Sequence, residues 1–149
     1  MEGRPWAYEK QIMVLNELEG HTPPSKLDFN HTPVWIQIHD MPLHCMSKTV
    51  GAKIGATLGD LEEVDAAADG IGWGRFLRIR VRIDITKPLE QGRELHIGGK
   101  SVWVKFKYEN LPLFCFHCGC IVHGEMGCPV KKTRRLHSEE GVGDWGVCL

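Results

Sequence analysis

The sequence predicts an α+β protein, in which an antiparallel sheet covered by helix on one face is followed by a small module rich in cysteine and histidine. Three observations lead to this prediction. Apolar and polar residues alternate over residues 34–39 and 76–85, apolar residues recur at four-residue spacing over 47–58, and cysteines and histidines cluster over 115–128. Alternation indicates half-buried strands, and four-residue spacing indicates an amphipathic helix. A chain of 149 residues has room for one ordinary domain and such a module.

The N-terminal residues predict a strand and then a linker. The apolar stretch from Gln11 to Leu15 shows little alternation, so we expect a strand buried on both faces. This strand either pairs with the later sheet or ends an upstream domain, and residues 1–20 are interpreted as a remnant of such a domain. A stretch rich in turn-forming residues follows, and residues 21–32 are predicted to be a linker.

Residues 33–112 are predicted to form the main domain. Its predicted elements are, in order, a strand at 34–39, a helix from an N-cap at Ser47 to Leu58, strands at 61–67 and 76–85, a short helical turn or loop, and a strand at 102–108. The order strand, helix, strand, strand, short helix or turn, strand is that of a split βαβ, or RRM-like, fold.

In this fold the helices cover one face of the sheet and leave the other face open. The open face is expected to present aromatic residues interleaved with polar and cationic ones, namely Trp35, Gln37, His39, Phe76, Arg78, Arg80, Arg82, Trp103, Lys105 and Lys107. Sheets that bind RNA use such a surface, because bases stack on the rings and the cations hold phosphates. The alternatives are a solvated sheet surface, or tryptophans covered by the N-terminal segment or a partner.

The cysteine- and histidine-rich segment has the spacing C-x2-C-x4-H-x4-C. Zinc binds four soft or borderline ligands in a tetrahedron, and Cys115, Cys118, His123 and Cys128 supply three thiolates and one imidazole. We therefore expect one structural zinc ion in a closed site. Residues 113–130 are too few to bury a core, so metal binding would supply their folding free energy.

Other residues of this module refine the prediction. Gly119 follows the second cysteine and is expected to take the positive φ that a tight turn around a metal needs. His117 and Cys120 are spare residues of ligand type, so a shifted ligand register stays open as an alternative.

The segment resembles a CCHC zinc knuckle of the retroviral nucleocapsid type. In that family an aromatic residue follows the first cysteine, glycine follows the second, and an apolar residue sits in the last loop; Phe116, Gly119 and Met126 match those places. Val122 stands where the family usually has glycine. The resemblance implies nucleic-acid binding, with Phe116 and Met126 as an apolar platform for an unstacked base.

A wider resemblance covers nearly the whole chain. The sequence segments on which the resemblance rests are Pro33 to His39, Gly74 to Arg78, Asp84 to Leu89 and Tyr108 to Pro112, and the knuckle follows the last of them. They are similar to plant LINE-type retroelement proteins, in which a domain of unknown function precedes a CCHC knuckle. The resemblance implies zinc and nucleic-acid binding in a retrotransposon-derived chain, and it implies that the upstream domain is truncated here.

The charge distribution favours a nucleic-acid partner, although the net charge is only −1. Residues 75–135 contain 13 Lys/Arg against 5 Asp/Glu, and the rest of the chain contains 5 against 14. Within residues 131–149, a predicted flexible tail, the basic run is Lys131, Lys132, Arg134 and Arg135. These four side chains are expected to add phosphate contacts, so that affinity falls with salt.

The leading hypothesis is zinc-dependent binding of single-stranded nucleic acid, RNA or DNA. The alternative is a protein-interaction or assembly module with a structural zinc, acting through a protein partner or self-association. The sequence contains no recognisable motif for a catalytic triad, a phosphate loop or a carboxylate metal loop, so we do not expect an enzyme. No apolar run spans a membrane and no hydrophobic signal opens the chain, so we expect an intracellular protein, nuclear or cytoplasmic and not secreted.

Overall fold

The computed structural model describes residues 6–9, 11–15, 20–67, 70, 74–111, 114–115, 118–121, 128 and 147–148. The strands are β1 (Trp6–Tyr8), β2 (Gln11–Met13), β3 (His31–His39), β4 (Asp60–Asp65), β5 (Phe76–Asp84), β6 (Gly92–Ile97), β7 (Lys100–Glu109) and β8 (Val147–Cys148), with one α-helix, α1 (Lys48–Leu58), in these ranges. Two 3-10 turns cover Pro24–Lys26 and Leu43–Cys45. No helix in the described ranges is both long and apolar enough to cross a membrane. The part of the chain that the structure describes is therefore a mixed fold, with antiparallel sheets and one α-helix.

The main sheet has the strand order β4-β5-β3-β7-β6, and β8 pairs with β7. Neighbours along this order are antiparallel, and only the short β7–β8 pair is parallel. Strands β3 and β4 therefore run in the same direction, with β5 between them and α1 connecting them. This arrangement places β3 at the centre, between β5 and β7, and leaves β4 and β6 at the ends of this order.

The core lies on the face of the sheet that α1 covers. The central strands bury one side chain in every two, as the alternation predicted, and the fully buried positions are Val34, Ile36, Ile38, Leu77, Ile79, Val81 and Val104. Phe106 and Tyr108 continue this face along β7. The period-two pattern is thus confirmed for the three long strands.

Helix α1 begins and ends where the sequence predicted. The Ser47 side chain accepts a hydrogen bond from the backbone N–H of Val50 at 3.3 Å, which caps the first turn. Two glycines one turn apart face the sheet, and a Cβ at Gly55 would lie 2.5 Å from Cδ1 of Leu61. A Cβ at Gly51 would lie 2.9 Å from Cδ2 of Leu77. The absence of side chains at these two positions lets the helix pack unusually close to the strands.

Two expectations about the elements are corrected. The N-terminal strand pairs with β1 in a separate two-stranded sheet rather than lying buried on both faces. Met13 is 41 % exposed and Leu15 is 38 % exposed, because a two-stranded ribbon has only one side to pack, and Ile12 uses it against the core. Residues 92–97 form the edge strand β6, where only a helical turn or loop was expected. Strand β3 also begins at His31, three residues before the alternating stretch.

Candidate metal centre and sheet surface

The backbone around the first two cysteines of the cluster forms a tight turn. The Gly119 N–H donates to the carbonyl oxygen of Cys115 at 2.7 Å, and the Cys115 N–H donates to the carbonyl oxygen of Cys120 at 2.9 Å. Gly119 has a φ of 76°, so the predicted positive φ is confirmed. This conformation turns the chain back on itself and leaves the two cysteine side chains on the same side.

Three cysteine sulfurs meet at this turn. The Sγ atoms of Cys115, Cys118 and Cys128 all lie within 4.8 Å of one another, and Cys115 and Cys128 are buried. Thiolates bound to one zinc ion, each about 2.3 Å from it, lie about 3.8 Å apart. The observed upper limit of 4.8 Å is compatible with that spacing, so these three residues fit a zinc ion.

The remaining members of the predicted knuckle site lie outside the described residues. They are His123, Phe116 and Met126, together with the basic run Lys131, Lys132, Arg134 and Arg135. The complete ligand set therefore stays a prediction. The three cysteines that the structure describes are consistent with it, and Cys120 lies outside the cluster of three.

The protonation state of the cluster bears on metal loading. Burial raises the pKa of the Cys118 thiol, and a backbone hydrogen bond from Cys120 opposes this effect. Zinc binds the thiolate form, so loading releases protons and zinc affinity falls as the pH is lowered.

The cysteine turn is packed against the main sheet domain. Phe114 and Ile121 flank the turn, are 4 % and 8 % exposed, and belong to the same hydrophobic core as the strands. The N–H of Leu89, in the β5–β6 connection, donates to the carbonyl oxygen of Gly119 at 2.9 Å. The metal centre is therefore anchored on the domain by two apolar side chains and one backbone hydrogen bond.

The geometry fits a class of site, a cysteine-rich metal centre. A comparison with family models identifies it further, because residues 83–130 match the family described as zinc knuckle. The chain thus contains a CCHC-type zinc knuckle, and together with the cysteine cluster this indicates zinc binding. Searches of curated proteins and of solved structures found no match. The wider likeness to plant LINE-type proteins remains a hypothesis.

The second predicted site, the open face of the sheet, holds its arginines in contacts with acidic residues. Arg78 donates through Nε and Nη2 to both carboxylate oxygens of Glu109, at 2.9 and 2.7 Å. Its Nη1 lies 3.6 Å from Asp65, and Nε of Arg80 lies 3.1 Å from Oε2 of Glu62. Hydrogen bonds with Glu109 raise the pKa of Arg78 and lower the pKa of Glu109. Much of the positive charge at the centre of the face is therefore neutralised within the protein.

Trp35 is in contact with the same arginine side chains. The guanidinium carbon of Arg78 lies 3.9 Å from the centroid of the Trp35 ring, and that of Arg80 lies 5.8 Å away. The closer contact is a cation–π interaction that covers one face of the indole. A base could stack on that face only if Arg78 left both the ring and Glu109.

The acidic partners of these arginines were not predicted from the sequence. Glu109, at the end of β7, also accepts a hydrogen bond from Nε2 of Gln37 at 2.7 Å. Asp65 lies opposite Arg78 in the β4–β5 register, and Asp60 lies opposite Arg82. The acidic character of residues 60–65 was visible in the sequence, but their place beside the arginine strand depends on the strand order.

Proposed function

We propose that this protein is a zinc-dependent binder of single-stranded nucleic acid, RNA or DNA, built on an RRM-like sheet and derived from a retrotransposon. The observation that carries the proposal is the set of three cysteine sulfurs within 4.8 Å of one another inside a zinc knuckle match. The excess of basic residues between 75 and 135 supports it. No catalytic role is part of the proposal.

The mechanism assigns a separate task to each part of the knuckle. Cys115, Cys118, Cys128 and His123 would hold a zinc ion, and metal binding would supply the folding free energy of the segment. Phe116 and Met126 would then offer an apolar platform to an unstacked base. The cations at Lys131, Lys132, Arg134 and Arg135 would hold neighbouring phosphates and make the affinity depend on salt.

A titration of labelled single strands tests this proposal. Fluorescein-labelled oligouridylate and oligothymidylate of 20 nucleotides are titrated with zinc-loaded protein, with protein treated with chelator, and with treated protein to which zinc is restored. We expect binding to be lost with the metal and recovered with zinc but not with magnesium. Equal affinity in all three states would contradict the zinc-dependent mechanism.

Two serine variants sharpen the test. Cys115→Ser removes a member of the sulfur cluster, whereas Cys120→Ser changes a neighbouring cysteine that lies outside it. We expect the zinc content and the nucleic-acid affinity to fall in the first variant and to stay near the parent values in the second. Loss of zinc in Cys120→Ser alone would indicate the shifted ligand register.

The second candidate function is a protein-interaction module, and exposed apolar residues favour it. Tyr8 and Met13 on the N-terminal hairpin are 67 % and 41 % exposed, and Leu43 is 62 % exposed. The salt dependence of binding separates the two functions, because affinity for nucleic acid falls steeply with salt and an apolar protein interface changes little.

A further inference from the structure

One aromatic residue on the open face differs from Trp35 in its surroundings. Trp103, on β7, is 56 % exposed. A Cβ at Gly92 of the neighbouring strand β6 would lie 3.0 Å from Cε2 and from Cζ2 of the Trp103 indole. The ring therefore lies over the bare backbone of Gly92, which is diagonal to it across the strand pair. One ring face is supported by the sheet, and more than half of the residue remains accessible.

Two lysines continue this surface along β7. Lys105 and Lys107 follow Trp103 at two-residue intervals, so their side chains leave the same face of the sheet. Successive outward residues of a strand are about 6.8 Å apart, so the row of three spans about 14 Å. We call Trp103, Lys105 and Lys107 the β7 row.

Lys105 of the β7 row is held more weakly than Arg78 of β5. Nζ of Lys105 lies 3.6 Å from Oδ2 of Asp40, and both side chains are at least half exposed. Exposed ion pairs of this kind contribute about 0–1 kcal/mol, whereas the two-point contact of Arg78 with Glu109 is charge-assisted and partly buried. A phosphate therefore displaces Asp40 from Lys105 more easily than it displaces Glu109 from Arg78.

The local potential around these lysines is positive enough to act on a neighbouring side chain. Burial is the main cause of a lowered pKa at His39, and the charges of Lys107 and Lys105 lower it further, while Asp40 opposes them. His39 is consequently expected to be neutral near pH 7. A neutral His39 adds no positive charge beside Lys105 and Lys107.

We propose that the β7 row, rather than the Trp35–arginine cluster at the centre of the sheet, is the part of the sheet that contacts single-stranded nucleic acid. Trp103 stacks on a base, and Lys105 and Lys107 hold the adjoining phosphates. This inference rests on the proposed nucleic-acid function and assigns it a surface outside the knuckle. Charge complementarity and an accessible aromatic ring are its basis.

Substitutions in the β7 row test the inference in the full-length, zinc-loaded protein, with 20-nucleotide oligouridylate as the probe. Trp103→Ala is expected to weaken binding about 5- to 150-fold, the range for one stacked base, and Trp103→Phe is expected to restore most of the affinity. The double variant Lys105→Ala/Lys107→Ala is expected to reduce the slope of log affinity against log salt by about 1.4.

Matched controls lie elsewhere on the domain. Phe29→Ala removes another half-exposed aromatic, and Lys48→Ala/Lys53→Ala removes two exposed lysines from α1, on the covered side of the sheet. Both are expected to bind like the parent protein. Glu94 lies directly opposite Trp103, so Glu94→Gln removes a charge that repels phosphate and is expected to strengthen binding.

The outcomes separate this inference from the proposed function. If the β7 variants bind as the parent does while Cys115→Ser loses binding, the knuckle acts alone and the β7 row is not a contact surface. If the zinc-loaded parent binds no single strand, both the proposed function and this inference are wrong. Circular dichroism of each variant establishes that its sheet is intact, so that weaker binding reports on the contact itself.

Discussion

Removal of zinc is expected to destabilise the whole sheet domain, not only the knuckle. The reason is the packing of the cysteine turn, where Phe114 and Ile121 enter the core of the sheet and Gly119 accepts a hydrogen bond from Leu89. A segment as short as this turn does not keep its fold without its metal. Loss of the ion would therefore also remove the packing of Phe114 and Ile121 and the hydrogen bond between Gly119 and Leu89 from the domain.

The size of the effect follows from those contacts. Complete burial of a phenylalanine or isoleucine side chain contributes about 1.5–3 kcal/mol each, and a backbone hydrogen bond contributes about 1 kcal/mol. The three contacts together are expected to contribute about 4–7 kcal/mol, against a total of about 5–15 kcal/mol for a typical domain. Zinc binding to zinc-finger peptides releases about 10–16 kcal/mol. This free energy is large enough to determine whether the cysteine turn folds and packs against the sheet.

Urea unfolding with and without chelator measures this effect. Far-UV circular dichroism follows the sheet, and metal analysis establishes the zinc content of each sample. We expect the chelated protein to lose several kcal/mol of unfolding free energy. Phe114→Ala in zinc-loaded protein is expected to lose about 3–5 kcal/mol, whereas Phe29→Ala, at a half-exposed position, is expected to change little. Unfolding free energies of the sheet that agree within about 1 kcal/mol with and without zinc would refute the coupling.

Three further predictions concern the fold that positions the two sites. A Cβ at Gly59 would lie 2.3 Å from a backbone carbonyl oxygen of β5, so Gly59→Ala is expected to cost about 3 kcal/mol in urea unfolding, and Gly20→Ala, with open space around it, almost nothing. Ser47→Ala removes the N-cap of α1 and is expected to cost about 0.5–1 kcal/mol by the same measurement. The hydrogen bonds from Arg78 hold the pKa of Glu109 below its ordinary value of 4.5, so its contribution is present above that value and is lost as the pH falls through the lower folded-state pKa. Unfolding of Glu109→Gln as a function of pH is therefore expected to show lower stability near pH 7 and a smaller loss on acidification.

The central strands and α1 could be predicted from the sequence because local patterns determine them. Alternation over 34–39 and 76–85 placed the aliphatic side chains of each strand on one face, which the structure buries, and Ser47 marked the start of the helix. The positive φ of Gly119 was also predictable, since the tight turn at the first two cysteines needs such a residue directly after the second one. These features depend on neighbours along the chain, and the sequence carries that information directly.

The missed features depend on contacts between distant residues. Strand β6 contains Gly92, two charged residues and a histidine, so its six residues lack a strong apolar pattern. These residues form a strand because they pair with β7. The neutralised arginines were missed for a similar reason. Arg78 and Glu109 are 31 residues apart in the sequence. Their side chains meet because β5 and β7 lie on either side of the same strand, β3.

Glu109 ends β7 and continues the two-residue spacing of the β7 row, so its side chain leaves the same face of the sheet. An unpaired carboxylate there would repel the phosphates of a strand bound to that row. Its two-point contact with Arg78 and its hydrogen bond from Gln37 neutralise that charge within the sheet. Arg78, which was expected to bind phosphate, is instead paired with an acidic residue of the same sheet face. Cys115 follows six residues after Glu109, so the strand that carries Trp103 is connected to the cysteine turn by a short segment.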